Sequence, residues 1–355
     1  MSRIVKFLTM VAVFTSAPVF AGDWNTQRAA DYLDARQKEW FAWKPALNAS
    51  GGPCVSCHTG VTYLLARPAL RRVLGENQPT EYETGLLKGL RARIDEKHPF
   101  PGFKDEPKFS QSVGVEAVHA ALFLAIENEG RPVLSGDAQR AFDRMWATQI
   151  REGKAKGGWA WFELELDPWE TKDSAFYGSA LAALATGYAP AEYRNRPAVR
   201  EHVAELTAYL RAEQNTQPLH NRLALLWAST KLPAAAPEPL RKSIIAEAWK
   251  KQQADGGWTA ESLGPWMAHP SAQPAAGSSA YATAFTTFVL QKAGASRRDD
   301  KLSRALAWLR ANQNRESGSW SADSMNKKYA PDSMMAKFML DAATGFAVLA
   351  LLDAQ

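Results

Sequence analysis

Apolar, alanine-rich stretches recur along the chain and predict buried helices. Alternating β-branched runs bounded by hairpin turns, the pattern of β-strands, are essentially absent. The ends of successive stretches lie about sixty residues apart, and once about forty apart, which indicates an internal repeat. The six stretches are residues 62–66, 115–126, 175–185, 219–228, 281–290 and 341–351.

A second kind of helix lies between these stretches and ends in an aromatic or apolar pair followed by Gln. Three copies are clear and two are looser, and they occupy residues 29–37, 205–214, 304–313, 141–149 and 246–253. Pairing each such helix with an apolar one predicts about six helical hairpins, with the apolar helices inside. We therefore predict an all-α fold, an (α/α)6 toroid, formed by residues 22–355 as a single domain.

Three of the Gln-ending helices are followed by a turn of small residues and a Trp. The turns are GGW ending at Trp159, DGGW ending at Trp258 and SGSW ending at Trp320. Glycine permits the positive φ angles of a tight turn, and Trp supplies a large side chain to bury.

These turns carry a resemblance to a known family. QQADGGW, which ends at Trp258, resembles the QW motif of the squalene-hopene cyclases and the related squalene cyclase and prenyltransferase repeat proteins, and NQNRESGSW, ending at Trp320, is a looser form. The resemblance implies the α/α toroid fold. It does not extend to the family's catalytic acids, because the chain has no DxDD string, and the nearest approach to DDxxD, beginning at Asp299, lacks the second acid. A cyclase-like enzyme is therefore the least favoured function.

The first 21 residues predict a secretory signal peptide. Arg3 and Lys6 begin it, an apolar run to Phe20 follows, and Val19 and Ala21 are small residues suited to cleavage. We expect a mature protein that begins near Gly22, is periplasmic or secreted, and has no integral membrane segment after cleavage. The formal charge of +5 falls by two when the signal cations are removed, which is too mild to indicate nucleic acid as a partner.

The chain has only two cysteines, and both lie in the pentapeptide Cys54-Val55-Ser56-Cys57-His58. A CxxCH run is typical of covalent c-type haem attachment, with a thioether bond to each cysteine and the following histidine as an axial iron ligand. A redox-active disulfide is the main alternative, but it normally follows a strand in a βαβ unit. A zinc site would need a second ligand pair. We therefore predict one haem c on Cys54, Cys57 and His58.

The haem segment, residues 44–60, falls at the start of the first inner helix. All inner helices of such a barrel run the same way, so their starts should crowd one mouth, together with the long loops 159–171, 258–279 and 320–338. The polar or aromatic residues at the five matching starts are Glu116, His119, Asp173, Tyr177, His220, Arg222, Tyr281, Thr283, Asp341 and Thr344. The loops add aromatic and sulfur side chains that can wall a haem: Trp161, Trp169, Trp266, Met334 and Met335.

The sixth ligand of the iron decides the function. A His or Met there gives an electron carrier, and an open position permits chemistry. Met267, His269 and Met325 in the loops and His220 on an inner helix are the main candidates, with His119 a further one. Two functions stay open: a haem-dependent oxidoreductase acting on an apolar, isoprenoid-like molecule in the central cavity, and an electron-transfer or haem-sensing protein that uses the toroid as a scaffold and meets a redox partner protein. No catalytic residue is assigned.

Overall fold

The computed structural model describes residues 24–47, 52–95, 102–266, 271–272, 276–325 and 328–354. The predicted signal peptide, residues 1–21, and the predicted ligands Met267 and His269 lie outside the described residues. Secretion therefore stays a prediction.

Helices form six inner and outer pairs, and the described residues contain no β-strand, only isolated bridges. The outer helices are α1 (Thr26–Ala42), α3 (Glu81–Arg93), α5 (Gly136–Ala147), α8 (Pro197–Glu213), α10 (Glu238–Lys250) and α12 (Asp300–Ala311). The inner helices are α2 (Gly60–Leu74), α4 (Lys108–Glu127), α6 (Ser174–Tyr188), α9 (Leu219–Lys231), α11 (Ala280–Lys292) and α13 (Phe338–Leu352), and a one-turn helix, α7 (Ala191–Arg194), precedes α8. The predicted all-α toroid is confirmed.

All six predicted apolar stretches lie within inner helices. The Gln-ending pattern located five outer helices but not α3, which lacks that signature. A capping box at its start, in which Thr80 and Glu83 satisfy each other's backbone amides, is the signal that marks it. The predicted helix at residues 29–37 also continues to Ala42, so Gln37 lies inside α1 and not at its end.

Inner helices are apolar on nearly all sides because they are covered on nearly all sides. Two segments, Lys108–Glu127 and Met335–Leu352, are long and apolar enough to cross a membrane by length and composition alone, which the sequence analysis did not anticipate. Both are mostly buried among the other helices of the toroid, and packing in the core accounts for their apolar composition.

The inner helices form a ring in which α4, α6, α9, α11, α13 and α2 follow one another. The ring closes where α13 packs on α2, and α1 covers that junction from outside by packing on both. Side-by-side packing is weakest between α2 and α4, where α3 bridges the gap.

A repeated glutamine ties three of the outer helices to the next one. It lies two residues beyond the end of α5, α10 and α12, as Gln149, Gln252 and Gln313. In each case its side-chain amide donates to the glycine carbonyl of the following turn and to a backbone carbonyl of the next outer segment. Those second acceptors are His202, Lys301 and, across the ring closure, Asn25.

The tryptophan of each turn holds an outer helix to an inner one. Trp159, Trp258 and Trp320 are fully buried. Their indole N–H groups donate to Met145, Ala248 and Leu309 carbonyls near the ends of α5, α10 and α12, at 2.7–2.9 Å. Their backbone N–H groups donate to the hydroxyls of Ser179, Thr283 and Thr344 on α6, α11 and α13. The QW-like motif is thus a structural clamp.

Replacing Trp258 by Phe should lower the free energy of unfolding by about 1–3 kcal/mol, because the Ala248 carbonyl loses the indole donor and keeps only the Lys251 N–H, and because the smaller ring leaves space. Denaturant unfolding checks this. Trp249→Phe is the matched control, since Trp249 lies next to Trp258 but is only partly buried. Equal losses for the two variants would contradict the clamp.

Candidate functional site

The CxxCH segment is held by α1 and caps the first inner helix. Trp40 of α1 donates its indole N–H to the Cys54 carbonyl at 2.8 Å. The Ser56 hydroxyl accepts from the N–H groups of Thr59 and Gly60, both at 3.1 Å, so it caps the start of α2. Cys57 and His58 lie in the turn directly before α2, as predicted, although residues 48–51 of the predicted haem segment lie outside the described residues.

Both cysteines are free thiols buried in the mouth of the ring. Cys54 is 8% exposed and Cys57 is 1% exposed. Burial raises the pKa of both thiols, and nearby carboxylates add to the rise: Glu116 for Cys54 and Glu170 for Cys57. Across the described residues, no three His, Cys, Asp or Glu side chains converge as ligands for a metal ion.

A hydrogen-bonded relay fixes the orientation of His58. Its Nδ1 lies 2.9 Å from the Thr59 hydroxyl, which in turn donates to Asp341 Oδ2 at 2.7 Å. Because the carboxylate takes the hydroxyl proton, the hydroxyl oxygen can only accept from His58, so Nδ1 carries the imidazole proton. Burial, with help from the positive charge of Arg36, lowers the pKa of His58 to about 3. The ring is therefore neutral, and its Nε2 lone pair makes no hydrogen bond with the described part of the chain.

Asp341 is itself held from three sides. Arg36 of α1 donates to both carboxylate oxygens, at 2.7 and 3.0 Å, and the Tyr32 hydroxyl donates at 3.0 Å. Asp341 and Arg36 are 1% and 3% exposed. Burial raises the pKa of Asp341, and the donors from Arg36, Thr59 and Tyr32 oppose that rise.

Aromatic rings surround His58. Phe338 stacks on it, with ring centroids 3.5 Å apart and an angle of 17° between the planes. Trp40 meets it edge-on at 5.6 Å, and Trp169 lies at 6.0 Å. Of the loop tryptophans predicted to wall the haem, Trp169 therefore contacts His58, whereas Trp161 contacts His119 and Trp266 contacts His220. Among the predicted sulfur side chains, Met334 contacts Arg36 and Met335 is exposed.

Glu170, on the first long loop, covers Cys57 and was missed by the sequence analysis. It is 6% exposed, and burial raises its pKa to about 7, a rise that the hydrogen bond with Cys57 reduces. Its neighbours in sequence give no signal of this position, because only the fold of the loop brings it to the cysteine.

The residues predicted at the helix starts come together only in part. Helix α4 begins at Lys108, so the prediction that Glu116 and His119 lie at its start is wrong. His119 on α4 contacts the motif through the Val55 carbonyl, and Tyr177, His220 and Tyr281 contact one another. The others belong to the framework. Arg222 pairs with Glu247, Thr283 and Thr344 hold the turn tryptophans, the Asp173 carbonyl accepts from Asn221, and Glu116 pairs with Arg93.

Two of the candidates for the sixth ligand, His220 and Met325, are described by the structure and have different surroundings. His220 has both ring nitrogens occupied, by the Asn221 side chain at 3.0 Å and the Tyr281 hydroxyl at 2.8 Å. It would have to give up a hydrogen bond to bind iron. Met325 is 8% exposed and lines a cavity of about 70 Å³ with residues of the second and third loops.

Side chains fill the centre of the ring. Tyr177, His220, Tyr281 and Phe285 form a continuous series of ring contacts and are at most 1% exposed. Trp227 of α9 and Phe346 of α13, two helices that both flank α11 in the ring, have ring centroids 6.4 Å apart, so this contact lies on the inner side of α11. Two cavities bounded by described residues lie elsewhere, one of about 670 Å³ between α2, α3 and α4 and one of about 370 Å³ outside α5 and α8.

The acids nearest to a DDxxD string have a structural position. The Asp299 carboxylate caps α12 by accepting from the Lys301 N–H at 2.8 Å, and Asp300 occupies the first turn; both are exposed. Neither points to cyclisation chemistry.

Comparison with known proteins supports the fold and the identity of the repeats. Residues 224–355, which include α10 to α13 and two of the three turn tryptophans, match the family model of the squalene-hopene cyclase C-terminal domain. No curated protein matches the chain. The chain therefore has a cyclase-like α/α toroid fold, and its C-terminal part is similar to the C-terminal domain of the squalene-hopene cyclases.

Proposed function

We propose that this chain is a periplasmic or secreted c-type haem protein that transfers electrons to or from a redox partner protein, with the toroid as its scaffold. One haem would be bonded to Cys54 and Cys57, with His58 as an axial ligand. The observation that carries the proposal is the Asp341–Thr59–His58 relay, which holds the Nδ1 proton and leaves the Nε2 lone pair available. Metal-bound histidines typically have such a partner on the other ring nitrogen.

The residues fit a haem c in their chemistry. The two thiols are unpaired and have the spacing that bonds both vinyl groups of one porphyrin. The His58 ring is neutral, as an iron ligand must be. When bound, the haem would supply a one-electron iron couple.

The chain's own residues would tune that couple. The Asp341 carboxylate, acting through Thr59, draws the Nδ1 proton of His58 and makes the ring a stronger donor, which favours the more oxidised iron. Glu170 lies against Cys57, which is 1% exposed, and Trp169 lies against His58. A porphyrin bonded to both thiols would take the place that these two side chains fill, and because residues 159–171 form a loop, they can be repositioned without breaking a helix.

Electron transfer is favoured over chemistry on an apolar molecule by the packing of the ring centre. Tyr177, His220, Tyr281 and Phe285 form a buried series of ring contacts there, so a substrate bound among them would have to displace core aromatic residues. A haem at the mouth would instead displace residues of a loop.

A pyridine haemochrome spectrum tests the proposal. The protein should be produced with its N-terminal segment in a bacterial host that attaches haem c, and then denatured in acid acetone. We expect the haem to stay with the protein and to give a c-type spectrum. Cys54→Ser and Cys57→Ser should each give the shifted spectrum of a single thioether, and the double variant should release its haem.

Two results would overturn the proposal. One is a wild-type protein without covalent haem in that host. The other is a double variant that still binds haem covalently. Cell fractionation, with determination of the mature N-terminus, tests export separately.

A further inference from the structure

A second buried histidine touches the CxxCH segment. His119 of α4 is 1% exposed, and its Nδ1 lies 2.9 Å from the Val55 carbonyl, between the two cysteines in sequence. Its Nε2 is buried and has no hydrogen-bond partner. The edge of Trp161 closes one side of the ring at 5.5 Å.

The contact with Val55 fixes the tautomer of His119. A carbonyl oxygen only accepts hydrogen bonds, so Nδ1 must carry the proton and Nε2 the lone pair. Burial lowers the pKa of His119 to about 4, with the Val55 carbonyl opposing and the Arg93 charge adding to the shift. A buried lone pair without a partner destabilises the fold. A histidine that binds a metal typically donates its Nδ1 proton to a carbonyl and leaves its Nε2 lone pair free of hydrogen bonds, as His119 does.

A second unsatisfied group lies next to this one. Arg93 is 1% exposed, and its Nε donates to the Glu116 carboxylate at 2.8 Å. Its two terminal nitrogens are buried and have no hydrogen-bond partner. Arg93 is close enough to influence the pKa values of both His119 and Cys54. His119 and Arg93 thus each leave a polar group unsatisfied next to Cys54 and Val55. A bound group that satisfied both would accept the nitrogen lone pair of His119 and carry negative charge for the guanidinium of Arg93.

We propose that His119 Nε2 is the sixth ligand of the haem iron, a proposal that rests on the haem attachment proposed above. A haem has both features, an iron that takes a nitrogen lone pair and carboxylates that attract a guanidinium. His58 would bind from the start of α2 and His119 from α4, across the gap between these helices. Two histidine ligands make the iron six-coordinate and low-spin, so the site is closed to oxygen and peroxide and works as an electron carrier.

The absorption and electron paramagnetic resonance spectra of the purified holoprotein test this. We expect a low-spin ferric signal and no reaction of the ferrous protein with carbon monoxide. His119→Ala should turn the iron high-spin and let carbon monoxide bind. His119→Met should stay low-spin and have a higher reduction potential, because a thioether ligand favours the ferrous state.

Further variants separate ligation from a structural role. His119→Gln can keep the hydrogen bond to Val55 but is expected to become high-spin. In His119→Gly, added imidazole should restore the low-spin spectrum. His220→Phe, which breaks the bond to Tyr281, is the matched control and should stay low-spin. The helical circular dichroism of each variant checks its fold.

The outcomes distinguish this inference from the proposed function. Wild-type protein with covalent haem that is already high-spin, or a His119→Ala variant that stays low-spin, would overturn the role of His119 alone. Conversion to high-spin by loss of His269, Met267 or Met325, and not of His119, would do the same. A wild-type chain without covalent haem would overturn both.

Discussion

Asp341→Asn is expected to lower the free energy of unfolding by about 3–5 kcal/mol, the cost typical of removing one partner from a buried ion pair. The change takes the buried carboxylate from the Arg36 guanidinium, which is 3% exposed and keeps only Glu39, a half-exposed residue, as an acid partner. It also weakens the bond that the Thr59 hydroxyl donates to residue 341 and, through it, the bond between His58 and Thr59. Urea unfolding at neutral pH measures the loss. In protein that carries haem, the same variant should raise the reduction potential, since His58 becomes a weaker donor.

Asp137→Asn is the matched control. Asp137 also pairs with an arginine, Arg91, at 3.1 Å, but both side chains are about 40% exposed. Exposed pairs contribute at most about 1 kcal/mol. If the two variants were destabilised equally, the buried relay would have no special role in stability. If Asp341→Asn left the reduction potential unchanged, the relay would not tune the haem.

Gly318→Ala is expected to lower the free energy of unfolding by about 2–5 kcal/mol, from backbone strain and overpacking together. Gly318 has φ +80°, and a Cβ there would lie 2.3 Å from the Arg28 backbone carbonyl on α1. Since backbone on both sides must move, the substitution should loosen the contact that closes the ring. Thermal unfolding followed by circular dichroism measures this effect.

Gly75→Ala separates the two causes. Gly75, at the end of α2, has φ +71°, and a Cβ there would meet nothing within 4 Å. It should therefore show only the backbone penalty, about 1 kcal/mol. A Gly318→Ala variant no less stable than Gly75→Ala would mean that α1 is not clamped at this position.

The fold was predictable because its signals are local. An inner helix such as α13 is an unbroken apolar segment in the sequence. The Gln signature marks five of the six outer helices and the Gly-x-Trp turn follows three of them, so the recurrence of these elements indicates paired helices in a toroid. Helix α3 was not predicted because its amphipathic sequence is like that of any surface helix, apart from the capping box at Thr80.

The candidate site was predictable only as far as its own pentapeptide. Cys54, Cys57 and His58 are adjacent in sequence, and their spacing carries their chemistry. Thr59 and Asp341, in contrast, are 282 residues apart, and nothing local indicates that their side chains meet. Glu170 reaches Cys57 through the course of a loop, which hydrophobic periodicity does not predict. Which histidine keeps a free nitrogen likewise depends on neighbours such as Val55 and Tyr281 that only the closed ring supplies.

The clamp between Gln313 and Asn25 joins residues 288 positions apart. An open solenoid has end repeats that fray and can be shortened one unit at a time, but a closed ring has none. Each repeat has two neighbours, so removing one exposes two interfaces at once. We therefore expect a single cooperative unfolding transition. Helix α1 packs on α13, which is synthesised last. The ring therefore closes only when synthesis is nearly complete, and until then the nascent chain exposes apolar surface that chaperones bind.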